Sequence, residues 1–121
     1  MYEVLRNTVL VIQKLLNNGS LGKDSILLID EPETNLHPEW QTKFAEILVL
    51  LNKELNIKIV VNSHSPYFMR AIEVKLADYN MKANGHFYLM QEDGNGTFCT
   101  EDVTNDTNKI YEMLYKPLEY L

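Results

Sequence analysis

Two short apolar segments, each followed directly by chemically active residues, most constrain the fold of this chain. Residues 26–29 read Ile-Leu-Leu-Ile and lead into Asp30 and Glu31, while residues 57–61 lead into a segment that ends at His64. Because these segments show little polar alternation, they predict strands that are buried on both faces, as in a parallel sheet.

The segment between the two strands predicts an amphipathic helix over residues 38–56. Its apolar side chains recur at helical spacing: Trp40, Phe44, Ile47, Leu48, Leu51 and Leu55. Pro38 suits the first turn of a helix, and we expect polar residues, among them Gln41 and Glu46, to fill the other faces. A helix joining two such strands predicts a parallel βαβ unit with a right-handed crossover.

The rest of the chain predicts helices at both ends and a hairpin. Residues 2–18 carry a helical apolar stripe, and Ser65 followed by Pro66 predicts a capped helix that continues to about Lys75. Residues 86–91 and 97–100 flank an Asp-Gly-Asn-Gly segment, which is typical of a β-hairpin. A last helix is expected from about Asp106 to Lys116. The pattern therefore predicts a single α/β unit over residues 1–121.

Composition excludes several function classes. The chain has 121 residues with 11 Lys and Arg against 17 Asp and Glu, a net charge of −6. That balance argues against binding nucleic acid or an anionic membrane through this segment, because both need a basic surface. The single cysteine excludes an internal disulfide and fits a reducing compartment. No apolar run is long enough to cross a bilayer, so we expect a cytoplasmic protein without a membrane partner.

The polar residues after the two strands predict a shared site. In open α/β sheets, ligands bind at the carboxyl ends of the strands, so Asp30, Glu31 and His64 are expected to face a common site. One carboxylate can hold a hydrated magnesium ion and the next can orient or deprotonate a water, while a histidine can donate to a phosphoryl oxygen. Either group alone could equally cap a helix or lie in a solvated turn. Their joint occurrence at one sheet edge favours a site.

Two motifs resemble those of a known ATPase family. Residues 26–38, Ile-Leu-Leu-Ile-Asp-Glu-Pro-Glu-Thr-Asn-Leu-His-Pro, resemble the Walker B and D-loop segment of ABC-type ATPases. More narrowly, they are similar to AAA ATP-binding proteins related to RecF, SMC and the OLD-family nucleases. Residues 60–66, Val-Val-Asn-Ser-His-Ser-Pro, resemble the H-loop of the same group. The resemblance implies a partial P-loop NTPase (ABC ATPase-like) fold, in which helices flank parallel strands and a β-hairpin follows. It also implies that ATP and Mg²⁺ are bound.

The resemblance also implies residue roles. Asp30 matches the Walker B aspartate that holds magnesium, Glu31 the catalytic glutamate that polarises the attacking water, and His64 the switch histidine that contacts the γ-phosphate. Asn35 and His37 fall in the D-loop, which in the family contacts the partner subunit of a head-to-tail dimer near the nucleotide. Many members have aspartate where His37 stands.

One motif that the family requires is missing. A P-loop, Gly-x-x-x-x-Gly-Lys-Ser/Thr, cradles the phosphates with backbone amides, and no such motif occurs in these 121 residues. The resemblance therefore implies the C-terminal half of a nucleotide-binding domain, which hydrolyses ATP only when a P-loop half completes it and is inactive alone. The strand over residues 57–61 would otherwise present an unpaired apolar edge.

Two other functions fit parts of the pattern. The first is a catalytically incomplete dimerisation or regulatory module associated with a nuclease or a defence system. The second is a metal-dependent nuclease that uses Asp30, Glu31, Glu33, His37 and His64. The second would need further carboxylates from other strand ends, and the acidic chain offers no basic track for DNA. Any nuclease or DNA partner would then bind regions outside this segment.

Overall fold

The computed structural model describes residues 2–116, apart from the side chains of Tyr2 and Val4. The elements, in chain order, are α1 (Tyr2–Asn17), β1 (Ile26–Asp30), α2 (Pro38–Leu55), β2 (Lys58–Asn62), α3 (Pro66–Asp78), a 3₁₀ turn (Lys82–Asn84), β3 (Tyr88–Glu92), β4 (Phe98–Asp102) and α4 (Asn108–Tyr115). This order confirms the predicted sequence of helices and strands and adds the 3₁₀ turn. No helix within the described range is long and apolar enough to cross a membrane.

The two predicted strands form a parallel pair. Ile26 lies opposite Lys58, and the register continues to Asp30 opposite Asn62. One more backbone bond extends the pairing past β1, because the amide of Glu31 donates to the carbonyl of Asn62 at 2.7 Å. Both strands therefore end at the same level, as predicted, and the residues that follow them emerge side by side.

Local signals explain why α2 has these limits. Nδ1 of His37 accepts a hydrogen bond from the amide of Glu39, and Pro38 occupies the first helical position. At the other end Asn56 takes a left-handed conformation with φ 52°, and its amide bonds to the last turn. One expectation about this helix is wrong. Gln41 does not lie on an outer face but is buried, because it is aligned with Phe44 and Ala45 at helical spacing.

The main core lies between the parallel pair and three helices. Phe44 of α2 and Phe68 of α3 are both fully buried, and their rings stack with centroids 6.2 Å apart. The other buried residues of this cluster are Leu5, Ile12, Leu21, Leu36, Ala45, Leu48, Ile57 and Ala71. Alternate strand residues, including Leu27 and Ile59, pack against it. This core joins α2 and α3 to one face of the two strands.

The expectation that both strands are buried on both faces is wrong. Burial alternates along β1 and β2, and the alternate side chains Ile26, Leu28 and Val60 are 66%, 73% and 58% exposed. Of the two faces of the described pair, one is covered by helices, and we call the other the open face. Its apolar residues explain why the sequence resembled doubly buried strands.

The predicted hairpin is present and carries its own small core. β3 and β4 pair antiparallel, with Tyr88 opposite Asp102, and Gly94 and Gly96 take positive φ angles in the connecting turn. Leu89 of β3 packs with Val103 and with Ile110 of α4. The hairpin and α4 therefore form a second cluster beyond α3, apart from the ends of the parallel pair.

Candidate functional site

Glu31 and His64 are in direct contact where the two parallel strands end. Oε1 of Glu31 and Nδ1 of His64 lie 2.5 Å apart, and the side chains are 43% and 76% exposed. A carboxylate can only accept, so Nδ1–H is the donor in this contact. When the ring is doubly protonated, Nε2–H remains available to donate to a second acceptor such as a phosphoryl oxygen. The contact thus joins a potential base to a potential donor at an accessible edge.

Backbone conformation contributes to the placement of Glu31. The residue has φ 46°, in the left-handed region that costs a non-glycine residue roughly 1–2 kcal/mol. The 2.7 Å bond from its amide to the carbonyl of Asn62 fixes this turn against β2. Residues held in such conformations are concentrated at functional sites, where the surrounding structure maintains them. A strained glutamate in contact with a histidine is therefore a strong candidate for chemistry.

Asp30 lies beside this pair on the open face. Its Oδ1 accepts a hydrogen bond of 2.7 Å from the side-chain amide of Asn62, and the residue is exposed. The bond orients the carboxylate without neutralising its charge. Asp30 and Asn62 also form the last register pair of the two strands. Asp30 was predicted as a site residue, but Asn62 was not; its position two residues before His64 could have indicated it.

The D-loop candidates occupy the turn that follows β1. Asn35 takes a left-handed conformation with φ 66°, which asparagine tolerates well, and it is exposed. His37 is also exposed and caps α2 through its 3.3 Å bond from the amide of Glu39. Within residues 2–116, neither side chain hydrogen-bonds to Asp30, Glu31 or His64. They border the site rather than complete it.

At this edge of the sheet, the main candidate metal ligand is the carboxylate of Asp30. Across the described residues, no group of three or more His, Cys, Asp or Glu side chains is arranged to hold a metal ion. Magnesium is commonly bound by one or two carboxylates together with substrate phosphates and water. A single oriented carboxylate beside an accessible edge fits that mode. It does not supply the larger carboxylate cluster that a metal-dependent nuclease would require.

Sequence comparison identifies the family. Residues 7–70, just over half of the chain, match the profile of a family described as "AAA domain, putative AbiEii toxin, Type IV TA system". The chain belongs to this family. The match runs from α1 into α3 and so includes β1, β2 and all five candidate site residues. The chain is therefore an AAA-type domain, with the ATPase-like nucleotide-binding function of its family.

Proposed function

We propose that this AAA domain is the C-terminal half of a cytoplasmic, Mg²⁺-dependent ATP-hydrolysing domain. The observation that carries the proposal is the 2.5 Å contact between Glu31 and His64 at the level ends of two parallel strands. Glu31 accepts the proton of the water that attacks the terminal phosphate. As the imidazolium, His64 keeps its Nδ1–H bond to Oε1 of Glu31 and donates from Nε2–H to an oxygen of that phosphate, while the other carboxylate oxygen of Glu31 takes the proton of the water.

Asp30 is the residue that would hold magnesium. Its carboxylate is exposed and oriented by Asn62, and one carboxylate suffices when substrate phosphates supply the remaining ligands. When bound, the ion neutralises negative charge that develops on the phosphates. Asp30 would hold the ion next to Glu31, because the metal ligand and the proton acceptor are consecutive residues.

A segment that carries a P-loop completes the site in this proposal. The open face is apolar at Ile26, Leu28 and Val60, and Asp30 lies at its carboxyl end on the same side. A layer that covers these side chains would also lie against the carboxylate of Asp30. The P-loop strand of that segment would pair beside β2, at the edge that is otherwise unpaired in the described residues, and the backbone amides of its P-loop would then hold phosphates at the strand ends, where Asp30 and Glu31 can reach them.

The turn after β1 would face a second nucleotide-binding domain. Asn35 and His37 are both exposed there, at the border of the site. In a head-to-tail dimer, this turn contacts the partner subunit and the nucleotide between the two domains. Nuclease or DNA partners would bind through regions outside this segment, because its net charge of −6 gives no electrostatic attraction to phosphodiesters.

A substitution of Glu31 in the completed domain tests the proposal. We combine the chain with the P-loop-bearing segment of the ATPase and measure Mg²⁺-dependent ATP hydrolysis and ATP binding separately. Glu31→Gln keeps the size of the side chain but removes the base, so kcat should fall by about 10²–10⁴-fold while ATP binding is retained. Glu54→Gln, at an exposed carboxylate near the end of α2, is the matched control and should hydrolyse ATP normally.

Two results would contradict the assignment. Wild-type turnover by the Glu31→Gln variant would show that Glu31 is not the base. A completed domain that binds ATP but does not hydrolyse it, even with Glu31 intact, would instead support a regulatory or dimerisation module.

A further inference from the structure

Glu33 is a buried acid that the proposed chemistry does not use. It is only 8% exposed, although it lies in the turn directly after β1. Its Oε1 accepts a hydrogen bond of 2.8 Å from the hydroxyl of Ser63, whereas its Oε2 is buried and has no hydrogen-bond partner among the described residues. Burying a carboxyl group with half of its capacity unsatisfied costs free energy. An acid kept at such a cost points to a role beyond general stability.

The bond partner of Glu33 belongs to a polar network at the base of α2 and α3. The hydroxyl of Ser63 accepts from the amide of Ser65 at 3.1 Å. Ser65 in turn caps α3 by accepting from the amide of Phe68, and its hydroxyl donates to Oε1 of Gln41 at 3.2 Å. Nε2 of Gln41 donates to the carbonyl of Leu36 at 3.0 Å. The network therefore starts in the turn after β1, crosses to the turn after β2, and returns.

The position of the Glu33–Ser63 bond relates it to the catalytic pair. Glu33 is two residues after Glu31, and Ser63 immediately precedes His64. Like the bond between Asp30 and Asn62, this side-chain bond links the chain beside Glu31 to the chain beside His64. Glu31 and His64 are 43% and 76% exposed, whereas Glu33 is buried and anchored. The exposed pair is therefore flanked by a buried, hydrogen-bonded side chain.

We propose that Glu33 is a positioning residue that, through Ser63, holds Glu31 and His64 at their working distance. The inference rests on the function proposed above and extends it to a residue that does not touch substrate. The part of Glu33 that matters in this role is Oε1, which accepts the hydrogen bond from Ser63. Glu33→Gln retains an acceptor there, whereas Glu33→Ala removes it, and Ser63→Ala removes the same bond from the other side.

The first test needs no ATP and uses the 121-residue chain itself. At neutral pH we record the NMR signals of the His64 ring and the hydrogen exchange of the Glu31 amide, which bonds to Asn62. Glu33→Ala and Ser63→Ala should each shift the ring signals and accelerate that exchange about three- to tenfold, as expected for loss of one hydrogen bond. Glu33→Gln should stay close to wild type, and Glu54→Gln should match it. Unchanged ring signals and exchange in both alanine variants would overturn the proposal.

The second test measures ATP hydrolysis by the domain completed with its P-loop segment. Displacing a catalytic group by about 1 Å can reduce rate by about 10²-fold. We therefore expect Glu33→Ala and Ser63→Ala to lower kcat by about 10- to 100-fold with KM little changed, and Glu33→Gln to restore kcat. The double alanine variant should be no slower than either single variant, because both remove one bond. Additive losses, or equal losses in Glu33→Gln and Glu33→Ala, would refute positioning through this bond.

The two tests separate this inference from the proposed function. If Glu31→Gln leaves hydrolysis intact, the assignment of the base fails, yet the ring signals and amide exchange still show whether Glu33 holds the pair. If Glu31→Gln abolishes hydrolysis and the Glu33 and Ser63 variants change neither kcat nor the ring signals, the ATPase assignment stands and the role of Glu33 falls. Should Glu33→Ala not fold, Ser63→Ala provides every readout.

Discussion

The two faces of the parallel pair differ in what covers them, although both are apolar. On the covered face, Leu27 and Ile59 pack against a core centred on the buried rings of Phe44 and Phe68. On the open face, Leu28 is 73% exposed. The covered face of the two strands therefore stabilises this chain, whereas the open face has no packing partner among the described residues.

This difference between the two faces shows that an apolar side chain can indicate burial in the complete assembly without being buried in one segment of it. Soluble proteins rarely expose a contiguous apolar patch unless it serves an interaction. Here the apolar patch ends at Asp30, the proposed magnesium ligand. The surface proposed to bind another segment is therefore adjacent to the residue proposed to act together with substrate phosphates. The covered face thus stabilises this chain, while the open face leads to the proposed magnesium ligand.

The largest expected effect contrasts a core residue with an open-face residue. Phe44→Ala removes a fully buried ring that stacks on Phe68, so the free energy of unfolding should fall by about 3–5 kcal/mol. Leu28→Ala removes a side chain that is already in water, and the change should stay within about 0.5 kcal/mol. Urea unfolding of the two variants and the wild-type chain measures both. A comparable loss in Leu28→Ala would mean that the open face is covered in solution.

The next effect concerns association rather than folding. If a P-loop segment covers the open face, Leu28→Asp loses the burial of one leucine, worth about 1.5–3 kcal/mol. The affinity of this chain for that segment should then fall by about 10- to 100-fold, as measured by titration calorimetry. Met90→Asp is a matched control, because Met90 is 63% exposed on the hairpin, away from this face. Equal losses for the two variants would show that the open face is not where the segment binds.

The sequence predicted most of the architecture because its signals are local. Ser65 followed by Pro66 begins α3 as predicted, and the level ends of the strands follow from the two apolar segments that precede Glu31 and His64. That the two groups lie at a common edge was expected from strand order, since parallel strands end at one edge, but their direct contact was not predicted. The roles of all five candidate site residues are untested and remain predictions.

The features that sequence analysis missed depend on side-chain packing across the chain. Gln41 looked like a surface residue, but it is buried and joins Ser65 to the carbonyl of Leu36. Its alignment with Phe44 on α2 was a signal that could have located it. The burial of Glu33 had no comparable signal, because it depends on Ser63, which is 30 residues away in the chain. The open face was missed because an apolar strand looks the same whether its cover is present or not.

The smallest expected effect concerns a hydrogen bond between α2 and the end of α3, the helices that lie on the covered face. The hydroxyl of Tyr79 on the end of α3 donates to Oε1 of Glu46 on α2 at 2.5 Å. This bond lowers the pKa of Glu46 below its usual range, and nearby Lys75 lowers it further; the same bond raises the pKa of Tyr79 above its usual range. A lowered carboxyl pKa contributes stability above its unfolded value that is lost as pH falls through the folded value. A raised tyrosine pKa contributes stability below its unfolded value that is lost as pH rises.

Tyr79→Phe should therefore lower the urea midpoint by a small amount that is greatest near neutral pH and shrinks toward both acid and alkali. The exposed Tyr88 on the hairpin offers the matched control, because Tyr88→Phe changes the same group outside the helix pair. A constant difference between Tyr79→Phe and wild type at every pH would mean that the ring, which lies under Lys53, stabilises the helix pair by packing alone. If the difference between Tyr79→Phe and wild type shrinks toward acid and alkali as predicted, the hydrogen bond between Tyr79 and Glu46 adds a small, pH-dependent contribution to the stability of the helix pair.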